Sequence, residues 1–483
     1  MNGMDSVLAL NYLSVALALL IAVVAALGKR TSNIIRVLAW LSILSFAVAS
    51  GILLLKTIDG PVEYYNGLIV HDKFTAFLLL GISLTGALAL IGAGKDPLIW
   101  ESSPGYYSLL PLVLFGSFII TGVTDTLTLI AAWLLVSVIN YVFIALPPDK
   151  ESRGAAVRYI MIGAVATLFL LVWLTGNSVV ASAQGLQGLQ ISPLTLDKIS
   201  GLTIAAFIAA LGFKIGVVPF HWWVPSVYGK AEGRVVALVA GVTKLAFIGV
   251  LARVVYLASG GSLGGLTLVK YPFATPAAAK NIALVLGVLA VASMFYGNIA
   301  AVATRDMKIM LSYSAIAQVG YILAALSAVA YFAGSNEKLA YYAMAAVAVQ
   351  AVAYGLAKAP LFTLTGVAER IERLKGLMSR DSISAVSVGI LLMSLLGLPP
   401  MLGFWGKILM FYAVAGFSII LVIISFINTT ISAAFYIRMA RDIMATDVET
   451  DVVVPGDMRL SLLTGALLIV FFGFIAPIVF SIA

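Results

Sequence analysis

The sequence contains no cysteine and only two histidines, His71 and His221. Without cysteine the chain forms no disulfide and holds no thiolate-ligated iron–sulfur cluster, and two histidines are a poor basis for a paired-histidine haem site. Charge is also scarce. Only 10% of the 483 residues are Asp, Glu, Lys or Arg, where soluble domains carry about 25%. Hydrophobic residues make up 62%, with a mean hydropathy of +1.09. Such a chain is a polytopic membrane protein with no room for a large soluble domain. The net charge of +8 is spread over many loops, none basic enough to track a nucleic-acid backbone, which excludes nucleic acid as a partner. No nucleotide-binding loop or cluster of metal ligands is present, so no cofactor and no redox active site are expected in this chain. The first basic residue, Lys29, follows the first apolar run, so no signal-peptide pattern is expected, and no C-terminal extension beyond the last run.

What the chain does have is fourteen apolar runs, near 6–27, 37–55, 74–94, 106–124, 127–146, 155–174, 200–219, 235–257, 281–303, 309–332, 339–366, 383–413, 414–437 and 460–482. Runs of about 17–25 apolar residues are long enough to span a bilayer as helices, which predicts an all-α fold of about fourteen transmembrane helices. The run at 383–413 is too long for one straight span and holds Gly397, Pro399 and Pro400 in its middle. Of the twenty-nine basic residues, eighteen fall in the loops on one side and seven, Arg253 among them, on the side holding both termini. By the positive-inside rule the richer side is cytoplasmic, so both termini are expected outside a cell (inner or plasma) membrane.

The remaining four basic residues are Lys214, Lys244, Lys358 and Lys407, each deep inside an apolar run whose only other charge, in the Lys244 run, is Arg253 toward its outer end. A lysine at the centre of a membrane helix costs roughly 2.5–3.5 kcal/mol by insertion scales, so four imply on the order of 10 kcal/mol. All twenty-one acidic residues fall in loops or at span ends. Two of the lysines sit beside helix breakers: Lys214 lies five residues before Pro219, and Lys407 seven after Pro400. Proline removes a backbone donor, and in lipid the freed carbonyls are tolerated only where protein or water satisfies them. Broken helices beside ionisable side chains are the usual construction of a hydrated midplane site. Desolvation disfavours the ammonium form, so a lysine so placed can take up and release a proton. Lys358, two residues before Pro360, could alternatively snorkel to the interface; Lys244 is too deep to do so.

The broken spans are the seventh and twelfth. Two five-span units, spans 4–8 and 9–13, would each cross the membrane an odd number of times and so be inverted relative to one another. This divides the chain into residues 1–105 (spans 1–3), 106–257 (first repeat), 258–440 (second repeat) and 441–483 (a loop predicted inside, then the last span).

Three segments carry a resemblance: Phe213-Lys214-Ile215-Gly216-Val217-Val218-Pro219-Phe220-His221-Trp222-Trp223, Leu396-Gly397-Leu398-Pro399-Pro400-Met401-Leu402-Gly403-Phe404-Trp405-Gly406-Lys407, and Leu311-Ser312-Tyr313-Ser314-Ala315-Ile316-Ala317-Gln318-Val319-Gly320-Tyr321. Over about residues 70–440 the chain resembles the antiporter-like proton-translocating subunits of respiratory complex I, membrane-bound hydrogenases and Mrp-type sodium/proton antiporters. The resemblance implies fourteen core helices and inverted five-helix repeats. It implies a polar axis through Lys214, Lys244 and Lys407, with Lys358 matching an eleventh-helix lysine of some members. His221 matches a histidine after the seventh-helix proline, either a relay or an interfacial structural residue. It implies partners, too: other membrane and redox subunits, with protons and possibly sodium as the ions moved.

One departure is large. The family usually pairs the seventh-helix lysine with a fifth-helix glutamate, and here Leu134 or Trp133 occupies that place, with Asp125 too far along the helix to substitute. Gln318 stands where the tenth helix often has histidine. Three readings remain open at this point: an ion-translocating membrane-arm subunit of a complex I-like oxidoreductase, an Mrp-type sodium/proton antiporter, and a non-pumping structural spacer.

Overall fold

The computed structural model describes residues 5–482 apart from 29–31, 95–102, 125, 186–192, 262–275 and 449. Asp125 and the loop cations Lys29, Arg30, Lys95 and Lys270 therefore lie outside the described residues. The helices are α1 (Ser6–Ala25), α2 (Ser32–Lys56), α3 (Lys73–Ala93), α4 (Ser103–Gly122), α5 (Thr126–Ala145), α6 (Lys150–Gly185), α7 (Pro193–Ile215), α8 (Trp223–Tyr228), α9 (Gly233–Leu238) and α10 (Lys244–Ala258). They continue with α11 (Pro276–Ala303), α12 (Met307–Phe332), α13 (Glu337–Leu364), α14 (Leu377–Arg380), α15 (Ser382–Leu396), α16 (Leu402–Ala415), α17 (Ile419–Met444) and α18 (Gly456–Ile482). Among the described residues twelve stretches, with 233–258 taken as one, are long and apolar enough to cross a membrane. The other two expected spans are the interrupted ones, α7 with its adjoining break and α15 with α16, so the fourteen apolar runs are accounted for. The chain is an all-α polytopic membrane protein.

The α9–α10 rod is buried along its whole length, and α12 nearly so, while α1, α6, α17 and α18 bury only a minority of theirs. Outward side chains such as Leu19, Leu127, Ile420 and Phe426 are 59–75% exposed. An apolar exterior around a polar-containing interior is what lipid solvent demands. On the side predicted cytoplasmic, the acidic stretch before α18 docks on the basic loop before α14. There the Thr450 hydroxyl donates to the Arg373 carbonyl (2.5 Å) and Arg380 to the Thr450 carbonyl (3.1 Å).

Two features went unread in the sequence. Residues 56–73 contain an antiparallel hairpin, β1 (Val62–Tyr64) with β2 (Ile69–His71), turned through Tyr65 and Asn66 in the left-handed region. The Asn66-Gly67 pair is a turn signal that could have revealed it. Arg253, counted with the outer loops, is instead buried in the last turns of α10. Its guanidinium donates to the carbonyls of Val70 (2.6 Å) and Thr121 (3.0 Å), tying the hairpin to α4 and α10. These two backbone acceptors offset part of the cost of burying its charge, while its Nε is buried with no hydrogen-bond partner among the described residues.

His71 packs beside this arginine against Phe118 and Gly122, fully buried, and burial together with the Arg253 charge holds its imidazole well below the usual range. A base whose folded pKa is depressed binds fewer protons folded than unfolded, so stability is lost as pH falls below the unfolded value near 6.5. The thermal midpoint of the detergent-solubilised protein is expected to fall between pH 7.5 and 5.5, and His71→Gln to flatten that slope. An equal slope in both proteins would contradict this assignment.

Candidate functional site

Both broken spans are built alike. α7 ends at Ile215 and α15 at Leu396, each succeeded by a glycine with positive φ, Gly216 (+77°) and Gly397 (+89°). At both ends two amides turn back onto one carbonyl: Gly216 and Val217 onto Gly212, Gly397 and Leu398 onto Met393. Glycine is the residue that adopts this left-handed cap without steric cost. Three residues beyond each glycine stands a cis proline, Pro219 and Pro400, preceded in the second case by Pro399. The helices therefore stop before the prolines rather than kinking at them, and the glycines make the breaks. The lysines occupy opposite arms, Lys214 in the last turn before its break and Lys407 in α16 after its own.

Freed carbonyls at the breaks find side-chain donors, as a lipid environment requires. Phe213 O accepts from Trp223 Nε1 (2.7 Å), Leu395 O from Gln318 Nε2 (2.8 Å) and Leu396 O from Lys407 Nζ itself (2.8 Å). The Lys407 ammonium thus rests on the negative end of α15 and lies 4.3 Å from the Tyr321 ring centroid.

All four lysines are buried, between 0% and 4% exposed. Among the described residues none of the ion pairs involves them. Lys214 Nζ donates to Ser137 Oγ (2.7 Å) and Tyr141 OH (3.2 Å) on α5. Lys244 opens α10 immediately after a π-helical turn, Val239–Thr243. Such a turn is a frequent functional device because it shifts the register of the helix beyond it. The Lys244 Nζ lies 5.6 Å from the ring centroids of both Tyr228 and Tyr354 and has no hydrogen-bond partner. Lys358 does not snorkel: it donates to the Leu311 carbonyl (2.8 Å) and to Ser314 Oγ inside the bundle.

Neutral polar side chains gather around the second break. Gln350 donates to Gln318 (2.8 Å), and Gln318 to Tyr436 OH (3.3 Å) as well as to the break. Beyond Lys407, Tyr321 OH meets Thr429 (3.3 Å), and Asn298 donates to the Asn428 carbonyl (3.0 Å), carrying polarity from α12 to α17 and α11. The Lys244 ammonium, the Tyr354 hydroxyl and Gln350 Oε1 are buried with no hydrogen-bond partner among the described residues, and buried polar atoms of that kind call for internal water. The tyrosines and Gln350 were missed in the sequence because uncharged polar residues in apolar helices give no pattern of their own. His221 has its ring 4.0 Å from that of Tyr296 on α11, next to the exposed Trp222, and its Nδ1 is buried with no hydrogen-bond partner among the described residues.

This bundle, with two glycine-capped breaks and a lysine-bearing polar interior, defines a membrane-embedded ion-handling class of protein. The chain matches the family described as NADH:quinone oxidoreductase/Mrp antiporter, TM, over residues 124–432, and it belongs to that family. It is 29% identical to NADH-quinone oxidoreductase subunit N of Dehalococcoides mccartyi, the alignment covering 91% of each chain. Among solved structures, its fold is similar to a chain of the membrane-bound sulfane sulfur reductase, an archaeal respiratory membrane complex (TM-score 0.79, 19% identity, 98% and 95% covered). It is similar also to a chain of respiratory complex I from Thermus thermophilus (TM-score 0.75, 23% identity, 97% and 98% covered).

Proposed function

We propose that the chain is an ion-translocating membrane-arm subunit of a redox-driven, complex I-like assembly, moving protons through Lys214, Lys244, Lys358 and Lys407. The observation that carries this is the burial of four lysines inside the bundle, two of them beside the broken spans and none paired with a carboxylate among the described residues. A structural spacer would have no use for that expense. The likeness to subunit N supports a plasma-membrane location among other membrane and redox subunits and no cofactor in this chain, and the excess of Lys and Arg in the loops of one side supports both termini outside. The repeated Gly-x-x-Pro break supports two inverted units at residues 106–257 and 258–440. His221, its ring against Tyr296 and next to the exposed Trp222, fits a structural role near the surface better than a relay.

In this reading the ammonium groups pass charge by short steps. Tyr228 and Tyr354 flank Lys244, and Ser314 links Lys358 toward Tyr436 and Gln318. Desolvation disfavours charging several of these lysines at once, so a proton arriving at one favours release from another. The test is the intact complex in sealed vesicles, with turnover and pH-gradient formation recorded together. Replacing all four lysines by methionine is expected to leave turnover and remove this subunit's share of the gradient. An unchanged ratio of protons to electrons would favour the spacer.

A further inference from the structure

The place where a counter-ion for Lys214 is expected holds rings and hydroxyls instead. Trp133, Ser137 and Tyr141 recur at intervals of four on α5, which puts them on one helix face. That face meets Lys214, whereas Leu134, the other candidate for the glutamate's place, is 44% exposed on the outside. The ammonium nitrogen lies 5.1 Å from the Tyr141 ring centroid, 5.2 Å from Trp133, 5.4 Å from Phe247 on α10 and 6.0 Å from Tyr159 on α6. Rings within about 6 Å attract a cation through their quadrupole, more strongly when it is desolvated.

The rings are held in place. Trp133 Nε1 donates to Thr167 Oγ1 (3.1 Å), and its indole meets Phe247 edge-on at 5.0 Å. Tyr141 packs edge-on to Tyr159 at 5.2 Å, and Tyr159 stacks on Trp223 at 4.9 Å. Ser137 gives its proton to the Trp133 carbonyl (2.5 Å), which leaves its oxygen lone pairs for the lysine. A Cβ on Gly163 would come 1.7 Å from the Tyr141 hydroxyl, so that glycine makes room for it.

We propose that Trp133, Ser137, Tyr141, Tyr159 and Phe247 form a neutral aromatic cage that holds the charged form of Lys214 in place of a carboxylate. These are positioning residues, and the assignment rests on the role given to Lys214 above. A carboxylate binds the ammonium by net charge, so drawing the lysine away separates two ions. The cage lets the lysine leave, or shed its proton, with no anion left behind in the bundle.

The experiment uses the intact complex in sealed vesicles, reading co-purification of subunits, turnover and gradient formation. Lys214→Ala tests the underlying reading: gradient formation at the native level would remove the lysine's role and the cage with it. If Lys214→Ala does lose translocation, the cage is tested separately. Trp133→Phe, which keeps a ring, is expected to retain at least half of native translocation. Trp133→Leu, apolar but without a ring, is expected to lose about fivefold or more at unchanged assembly and turnover. Equal activity in the Leu and Phe variants would overturn the proposal. Should Trp133→Leu fail to assemble, Ser137→Ala and Tyr141→Phe remove only the hydroxyls and are expected together to cost a similar factor; native translocation in that pair would also overturn it. Trp133→Glu separates a replaced carboxylate from a missing one. The cage predicts weaker translocation, because the introduced anion fixes the ammonium, and stronger translocation than native would overturn it.

Discussion

Alanine at Lys214 or at Lys407 is expected to cut this subunit's ion translocation by more than tenfold while the complex still assembles. Neither lysine holds the fold through a salt bridge: Lys214 touches two hydroxyls and four rings, Lys407 one carbonyl and one ring. Taking either away removes a desolvated charge and leaves neutral neighbours, so the folding penalty is that of a small cavity rather than of a stranded partner ion. Translocation is different, since among the described residues the groups that touch Lys214 and Lys407 are hydroxyls, rings and a backbone carbonyl, with no second amine or carboxylate to take up the proton. Methionine, which keeps most of the volume, should be equally inactive and better folded than alanine. Subunit co-purification alongside gradient formation in sealed vesicles checks both halves of this expectation.

Alanine at Gly403 is expected to do the reverse, undoing structure first. The added Cβ would sit 2.0 Å from the Ser394 carbonyl oxygen, a backbone atom that cannot swing aside. This is where α16 crosses close over the end of α15, so the clash would push apart the two arms of the broken span and carry Lys407 off the Leu396 carbonyl. Overpacking of this kind costs about 1–3 kcal/mol and sometimes more, a clear drop in thermal midpoint for the solubilised protein. Gly201 and Gly154 have open space where a Cβ would go, so alanine there should leave the midpoint unchanged or slightly raised. Equal midpoints for the Gly403 and Gly201 variants would show that the break is not closely packed.

The spans, the four lysines and the neighbourhoods of both breaks were legible in the sequence because each rests on a strong local signal. Long apolar runs, lone charges inside them and clustered Gly and Pro stand out without knowledge of packing. The breaks were read through their prolines, but the helices end at Gly216 and Gly397, whose positive φ is set by the backbone path and not by composition. Arg253 looked like a loop charge because the hairpin that supplies its acceptors is distant in sequence. The partner of Lys214 was sought as an acid, and no acid was found; the Trp133, Ser137, Tyr141 spacing was present but became meaningful only once α5 was seen to face α7. Tyr228, Tyr354, Tyr436 and Gln350 come from separate helices, and only tertiary structure brings them beside the lysines. The π-turn before Lys244 has no composition that marks it.

Proton movement through this subunit requires that the four ammonium groups share a hydrated interior. A density map of the intact complex, fine enough to show ordered water, tests that requirement most directly. Water is expected bound to Lys244 Nζ, the Tyr354 hydroxyl and Gln350 Oε1, bridging the lysines from Lys214 to Lys407. Continuous apolar contact between those groups, with no water among them, would contradict proton translocation along the lysines.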